Sequence, residues 1–191
     1  MTELLVSDKK TLLQLARQSI ETFFEGTSPE IPPNISPALQ AKRGIFVTLH
    51  KGDQLRGCIG TFFADKPLSS QVLKMARAAA FEDSRFTPVQ RGELTDITIE
   101  ISVLSPLRII QTIAEIEIGK HGIYISRNFH RGVLLPQVAT EQHWDTITFL
   151  EHTCLKAGLP RDAWQKGATI EIFSADIFGE KHFDHRPHTA N

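Results

Sequence analysis

The chain has 191 residues, 41% of them apolar and 23% charged, enough for one buried core and too ordinary a mixture for a disordered or fibrous protein. Its formal charge of −1, without any run of Lys or Arg, excludes the broad basic footprint that duplex nucleic acid requires. No apolar stretch approaches a membrane span, the start from Met1 to Lys10 is polar rather than signal-like, and Cys58 and Cys154 stand in unrelated local patterns, so a cytoplasmic protein with two free thiols and no membrane association is expected.

Ser7 predicts the N-cap of a first helix, because Leu12, Leu15, Ala16, Ser19, Ile20 and Phe23 recur at three- and four-residue intervals until Gly26 closes the run. Pro29, Pro32, Pro33 and Pro37 then predict an extended connector. Gly44 to Leu49 and Leu55 to Phe62 read as two strands of a hairpin around the polar segment His50 to Gln54. Pro67 and Leu68 open a helix with Leu68, Val72, Met75, Ala76 and Ala79 on one side, suited to lie on the sheet. Ile97, Ile99, Ile101 and Val103 alternate with Thr98, Glu100 and Ser102, the pattern of a half-solvated strand. Further strands are predicted at Gly122 to Ser126, Gly132 to Leu135 and Thr169 to Phe173, the first two joined by the loop Arg127 to Arg131. Asp145 predicts the cap of a helix through Ala157 that buries Phe149, Leu150, Thr153 and Cys154 and ends at Gly158-Leu159-Pro160. The whole predicts an α+β fold with a mainly antiparallel sheet and packed helices.

Leu55-Arg56-Gly57-Cys58-Ile59-Gly60-Thr61 is unusual for a strand, since Gly57 and Gly60 flank the cysteine and contribute no packing. Strand alternation puts Arg56, Cys58 and Gly60 on one face. A guanidinium beside the thiol favours the thiolate, and the missing side chains leave room for a ligand, which is what a reactive cysteine needs. The same pattern fits an inert core thiol, with glycines serving a bulge or a closely packed helix.

In the next segment, Phe81 to Pro88, Asp83 and Arg85 either contact a substrate or brace the loop against the helix end. In the third, Gly132 to Glu141, Gln137 and Glu141 either line a site or satisfy backbone groups where a strand ends.

These segments carry a family resemblance. Leu55 to Phe62, Ala79-Ala80-Phe81 with Asp83, Arg85 and Phe86, and Leu134 to Ala139 resemble the AMMECR family and its prokaryotic branch, the AmmeMemoRadiSam system A proteins. Ile101 to Ser105, Gly119-Lys120-His121-Gly122, Lys156 to Leu159, Phe178 and Glu180 support the match. Ser84 stands where relatives commonly have proline. The resemblance implies two closely associated lobes forming one domain over residues 1–180, with the cysteine segment near an intervening cleft and a polar, mobile tail over residues 181–191. It also implies the company of a Memo-type protein and a radical S-adenosylmethionine protein.

Two functions therefore compete. A binding module would use Arg56, Gly57, Gly60, Asp83, Arg85 and Gln137 to hold a protein partner, a peptide or a small ligand. A cysteine-dependent enzyme would use Cys58 as nucleophile or redox thiol, with Arg56 beside it and Glu141 or His121 carrying protons. His182, His185 and His188 are regularly spaced, but on a solvated tail they lack the surroundings that orient metal ligands. Paired Cys/His spacings for zinc and phosphate-cradling glycine loops are absent from the sequence, so neither metal nor cofactor is expected.

Overall fold

The computed structural model describes residues 3–183. In chain order its elements are α1 (Val6–Glu21), α2 (Pro37–Gln40), β1 (Ile45–Lys51), β2 (Gln54–Thr61), α3 (Leu68–Phe81), β3 (Ile97–Leu104) and β4 (Arg108–Ile109). There follow β5 (Gly122–Arg127), β6 (His130–Leu134), α4 (Pro136–Glu141), α5 (Thr146–Lys156), β7 (Thr169–Phe173) and β8 (Ala175–Gly179). The fold is α+β, and the chain divides into two compact units, one running to Val103 and resuming at Ile177, the other spanning Leu104–Asp176.

In the first unit the strand order is β2-β1-β3-β8, with β1 antiparallel to both β2 and β3. Alternation decides its two faces. Ile45, Val47, Leu49, Ile97, Ile99, Ile101 and Val103 point inward and are buried with Leu12, Leu15, Ala16 and Ile20 of α1 and Leu68, Val72, Met75 and Ala76 of α3. Each Val, Leu, Ile or Met side chain among them, removed from water, contributes about 1.5–3 kcal/mol, which makes this layer the main source of the unit's stability. Phe46, Thr48, His50, Thr98, Glu100 and Ser102 form the half-buried opposite face, hereafter the outer face. The segment after β8 is tied back by Glu180, whose carboxylate accepts from Arg17 Nε and Nη2 at 2.9 and 2.6 Å and from the Ile99 N–H at 2.8 Å.

Two expectations need correction here. Ser7 is not the cap of α1: the helix begins at Val6, and Asp8 reaches back to accept the Leu5 N–H at 3.0 Å. Leu5 occupies the N-cap position without a side-chain acceptor, and Asp8 at the third helical position satisfies its backbone N–H instead. The hairpin is also tighter than predicted. His50, Lys51 and Gln54 belong to the strands, leaving Gly52-Asp53 as the turn, with Gly52 at a φ of 62°.

The second unit has the strand order β4-β7-β5-β6, and each pairing is antiparallel. Asp145 caps α5 by accepting the Thr148 N–H at 2.7 Å, and α5 buries Phe149, Leu150 and Cys154 with Ile123, Ile125 and Ile172. Gly132 allows this approach, since a Cβ there would lie 2.5 Å from the Ala157 nitrogen. Burial pushes the Cys154 thiol up, and both cysteines are free. The predicted five-residue loop shortens to Asn128-Phe129, because His130 and Arg131 join β6.

Glu180–His182 form a short 3-10 turn in which His182 Nδ1 accepts the Gly179 N–H at 2.9 Å. His185 and His188 lie outside the described residues.

Candidate functional site

Strand β2 is an edge strand, and its register with β1 holds the key to its side chains. Cys58 pairs with Thr48 and Gly57 with Leu49, but the next pair is His50 with Leu55, so Arg56 is an extra, bulged residue. The expected alternation from Cys58 back to Arg56 is therefore broken. Arg56 instead donates from Nε and Nη2 to the Glu93 carboxylate at 3.1 and 3.0 Å and from Nη1 to the Thr87 carbonyl at 2.8 Å. Every nitrogen of this guanidinium is used, and the side chain is only 13% exposed. The paired Arg56 holds the Glu93 carboxyl down at about 2. Arg56 is a brace.

The arginine that stands beside Cys58 is Arg85. The Cys58 N–H and C=O point away from β1, as they must in a non-hydrogen-bonded pair with Thr48, and would be bare on a sheet edge. Asp83 accepts the Cys58 N–H at 2.9 Å, and Arg85 Nη2 donates to the Cys58 carbonyl at 3.1 Å. Asp83 and Arg85 are themselves joined through Nε and Nη2 at 2.9 and 2.7 Å. The hydrogen bonds from Arg85 hold the Asp83 carboxyl well below the usual carboxylate range, and Asp83 in turn raises Arg85, with the nearby Cys58 adding to the same effect.

Exposure separates the two members of this pair. The Asp83 side chain is 4% exposed and that of Arg85 is 56% exposed. Among the described residues Arg85 Nη1 has no hydrogen-bond partner. The result is a cation fixed by a buried carboxylate and left with free donors. On the outer face the Thr48 hydroxyl donates to Cys58 Sγ at 3.3 Å, and the thiol is half-buried. No imidazole or carboxylate among the described residues hydrogen-bonds to that sulfur.

The two glycines do not provide the expected room. A Cβ at Gly57 would lie 2.1 Å from the Ala79 carbonyl oxygen, and one at Gly60 would lie 2.3 Å from the Phe46 ring. Gly57 is thus the contact through which α3 rests on β2, and the space over Gly60 is filled by Phe46.

The remaining candidates belong to the second unit. Gln137 and Glu141 are exposed on α4, where the Gln137 carbonyl accepts the Thr140 hydroxyl at 2.9 Å. His121 Nδ1 accepts the Glu117 N–H at 3.1 Å, and burial lowers the affinity of its ring for a proton. Thr48 and Glu93 were not foreseen. Thr48 is signalled only by register, and Glu93 sits 37 positions from the arginine it holds. Within the described residues no group of three or more His, Cys, Asp or Glu could hold a metal ion, and no helix is long and apolar enough to cross a membrane.

Comparison with known proteins places this chain in a family. The AMMECR1 family model matches residues 13–178. A protein of Methanosarcina barkeri is 44% identical over 181 residues, covering 90% of each chain. One of Nanoarchaeum equitans is 42% identical, covering 88% of this chain and 98% of its own. The crystal structure of an uncharacterized protein from Pyrococcus horikoshii is similar with a TM-score of 0.76 at 37% identity, over 89% of this chain and 90% of that one. The chain belongs to the AMMECR1 family.

Proposed function

We propose that this AMMECR1-family chain is a binding module whose site is centred on Cys58 and Arg85, and that it acts with a Memo-type protein and a radical S-adenosylmethionine protein. The observation that carries the reading is the contrast between the two arginines: Arg56 uses every nitrogen on Glu93 and Thr87, while Arg85 is over half exposed and its Nη1 has no hydrogen-bond partner among the described residues. A guanidinium oriented in advance by a buried carboxylate loses little freedom on meeting an anionic group, so it favours a ligand or peptide that carries a carboxylate or phosphate. The Cys58 thiol and Thr48 hydroxyl supply the neighbouring polar contacts. The association with the two other proteins rests on the company that the family resemblance implies.

The second reading, a cysteine-dependent enzyme, is favoured by one observation, the half-buried Cys58 thiol that accepts from the Thr48 hydroxyl while Arg85 holds the carbonyl of the same residue. Among the described residues of the first unit no imidazole or carboxylate hydrogen-bonds to the sulfur, so this reading has no base assigned to it. One experiment serves both readings. In a Cys154→Ala background, the alkylation rate of Cys58 by iodoacetamide is measured with and without an equimolar Memo-type protein. The binding reading expects Cys58 to be protected more than tenfold; a complex that forms and leaves the rate unchanged removes this site from the association.

A further inference from the structure

A second groove opens on the first unit, on the same outer face but with none of the Cys58 or Arg85 side chains in its lining. Its floor is Thr98 and Glu100 of β3; one wall is His50 with the Gly52-Asp53 turn, the other the Gly179–His182 segment. Its volume is about 270 Å³, just below the roughly 300–1,000 Å³ of ligand clefts, which suits an occupant of roughly ten heavy atoms or fewer.

The acceptors in the groove are set by the β-ladder. His50 and Thr98 are directly paired across β1 and β3, and Glu100 follows Thr98 by two positions on the same face. Glu100 is half-buried, and among the described residues its carboxylate has neither a hydrogen bond nor an ion pair. Its oxygens therefore keep their acceptor capacity for a cation that enters the groove. The nearby cation does not fill that role: Lys181 Nζ lies 3.4 Å from the Gly52 carbonyl and 4.0 Å from Asp53. Glu180 is occupied as well, by Arg17 and the Ile99 N–H. On the far wall, His182 Nδ1 accepts from Gly179, so the neutral ring carries its proton on Nε2 and offers a donor.

We infer that this groove binds a small primary amine, its ammonium held by Glu100, Thr98 and His50 and a neighbouring oxygen of the ligand accepting from His182. A primary ammonium has three N–H donors, and the floor and near wall present three acceptors of which only Glu100 is charged. The groove shares no lining residue with Cys58, so this inference and the binding role of Cys58 stand or fall separately.

The test is an amide-resolved NMR titration of the full chain with ethanolamine, glycinamide and choline. Ethanolamine and glycinamide, which carry three N–H donors beside an oxygen, should shift the amides of Ile99, Glu100 and Gly179 to His182 saturably, with half-saturation at about 1 mM. Choline has the charge without the donors and should bind at least tenfold more weakly. Glu100→Gln, which keeps the shape, should abolish the shifts with an unchanged Tm, Thr98→Val should weaken them severalfold, and Cys58→Ser should leave them intact. Shifts that do not saturate, equal binding of choline, or full binding by the folded Glu100→Gln protein would each overturn the inference.

Discussion

Two arginines from separate segments of the chain perform different work, and their hydrogen bonds say which. Arg56 uses its planar fork on one carboxylate and one carbonyl, geometry that an ammonium cannot reproduce. Arg56→Lys should therefore lower stability by about 1–2 kcal/mol, read as a shift of the denaturation midpoint, while leaving the alkylation rate of Cys58 unchanged. A loss of reactivity without loss of stability would return Arg56 to the site. The motif as a string contains both the arginine and the thiol, so the candidate site was legible in the sequence as a location. Which arginine faces the thiol was not, because the bulge that turns Arg56 aside depends on the pairing of Leu49 and His50 with β2.

The elements themselves were most legible where one physical period ran without interruption. β3 alternates from Ile97 to Val103, α5 is capped by Asp145 and buries the predicted stripe, and both follow from burial of one face. β8 was missed because it follows β7 after a single residue, Ser174, with no turn signal between them, and β4 is only two residues long. Gly57 shows what a sequence cannot weigh, since its meaning depends on a helix more than ten positions away. With the Ala79 oxygen 2.1 Å from a would-be Cβ, Gly57→Ala must push α3 off the sheet. The expected cost is about 3 kcal/mol in chemical denaturation. An alanine variant as stable as the parent would mean that α3 does not rest on this strand.

At the scale of the molecule, acid stability follows from the same pairs. A carboxyl whose proton affinity is depressed by folding contributes stability that is complete above its unfolded value and is lost as pH falls through its folded value. For Glu93 the window runs from 4.5 down to about 2, and Asp83 adds a loss in the same direction. Glu93→Gln should thus flatten the dependence of stability on pH in that range, measured by urea denaturation at successive pH values. A variant with the parent's slope would show that Arg56 does not hold Glu93 in solution. The near-neutral charge of −1 bears on partners: duplex DNA should bind weakly at physiological salt, and tight, steeply salt-dependent binding in a titration would contradict this. The central claim, that Arg85 makes an anion-selective site beside Cys58, is tested most directly by the ratio of Cys58 alkylation rates with iodoacetate and iodoacetamide in a Cys154→Ala background. An exposed cation contributes up to about 1 kcal/mol to a nearby anion, so Arg85→Ala should lower that ratio about fivefold while changing the iodoacetamide rate less. A ratio that is the same with and without Arg85 would contradict the account.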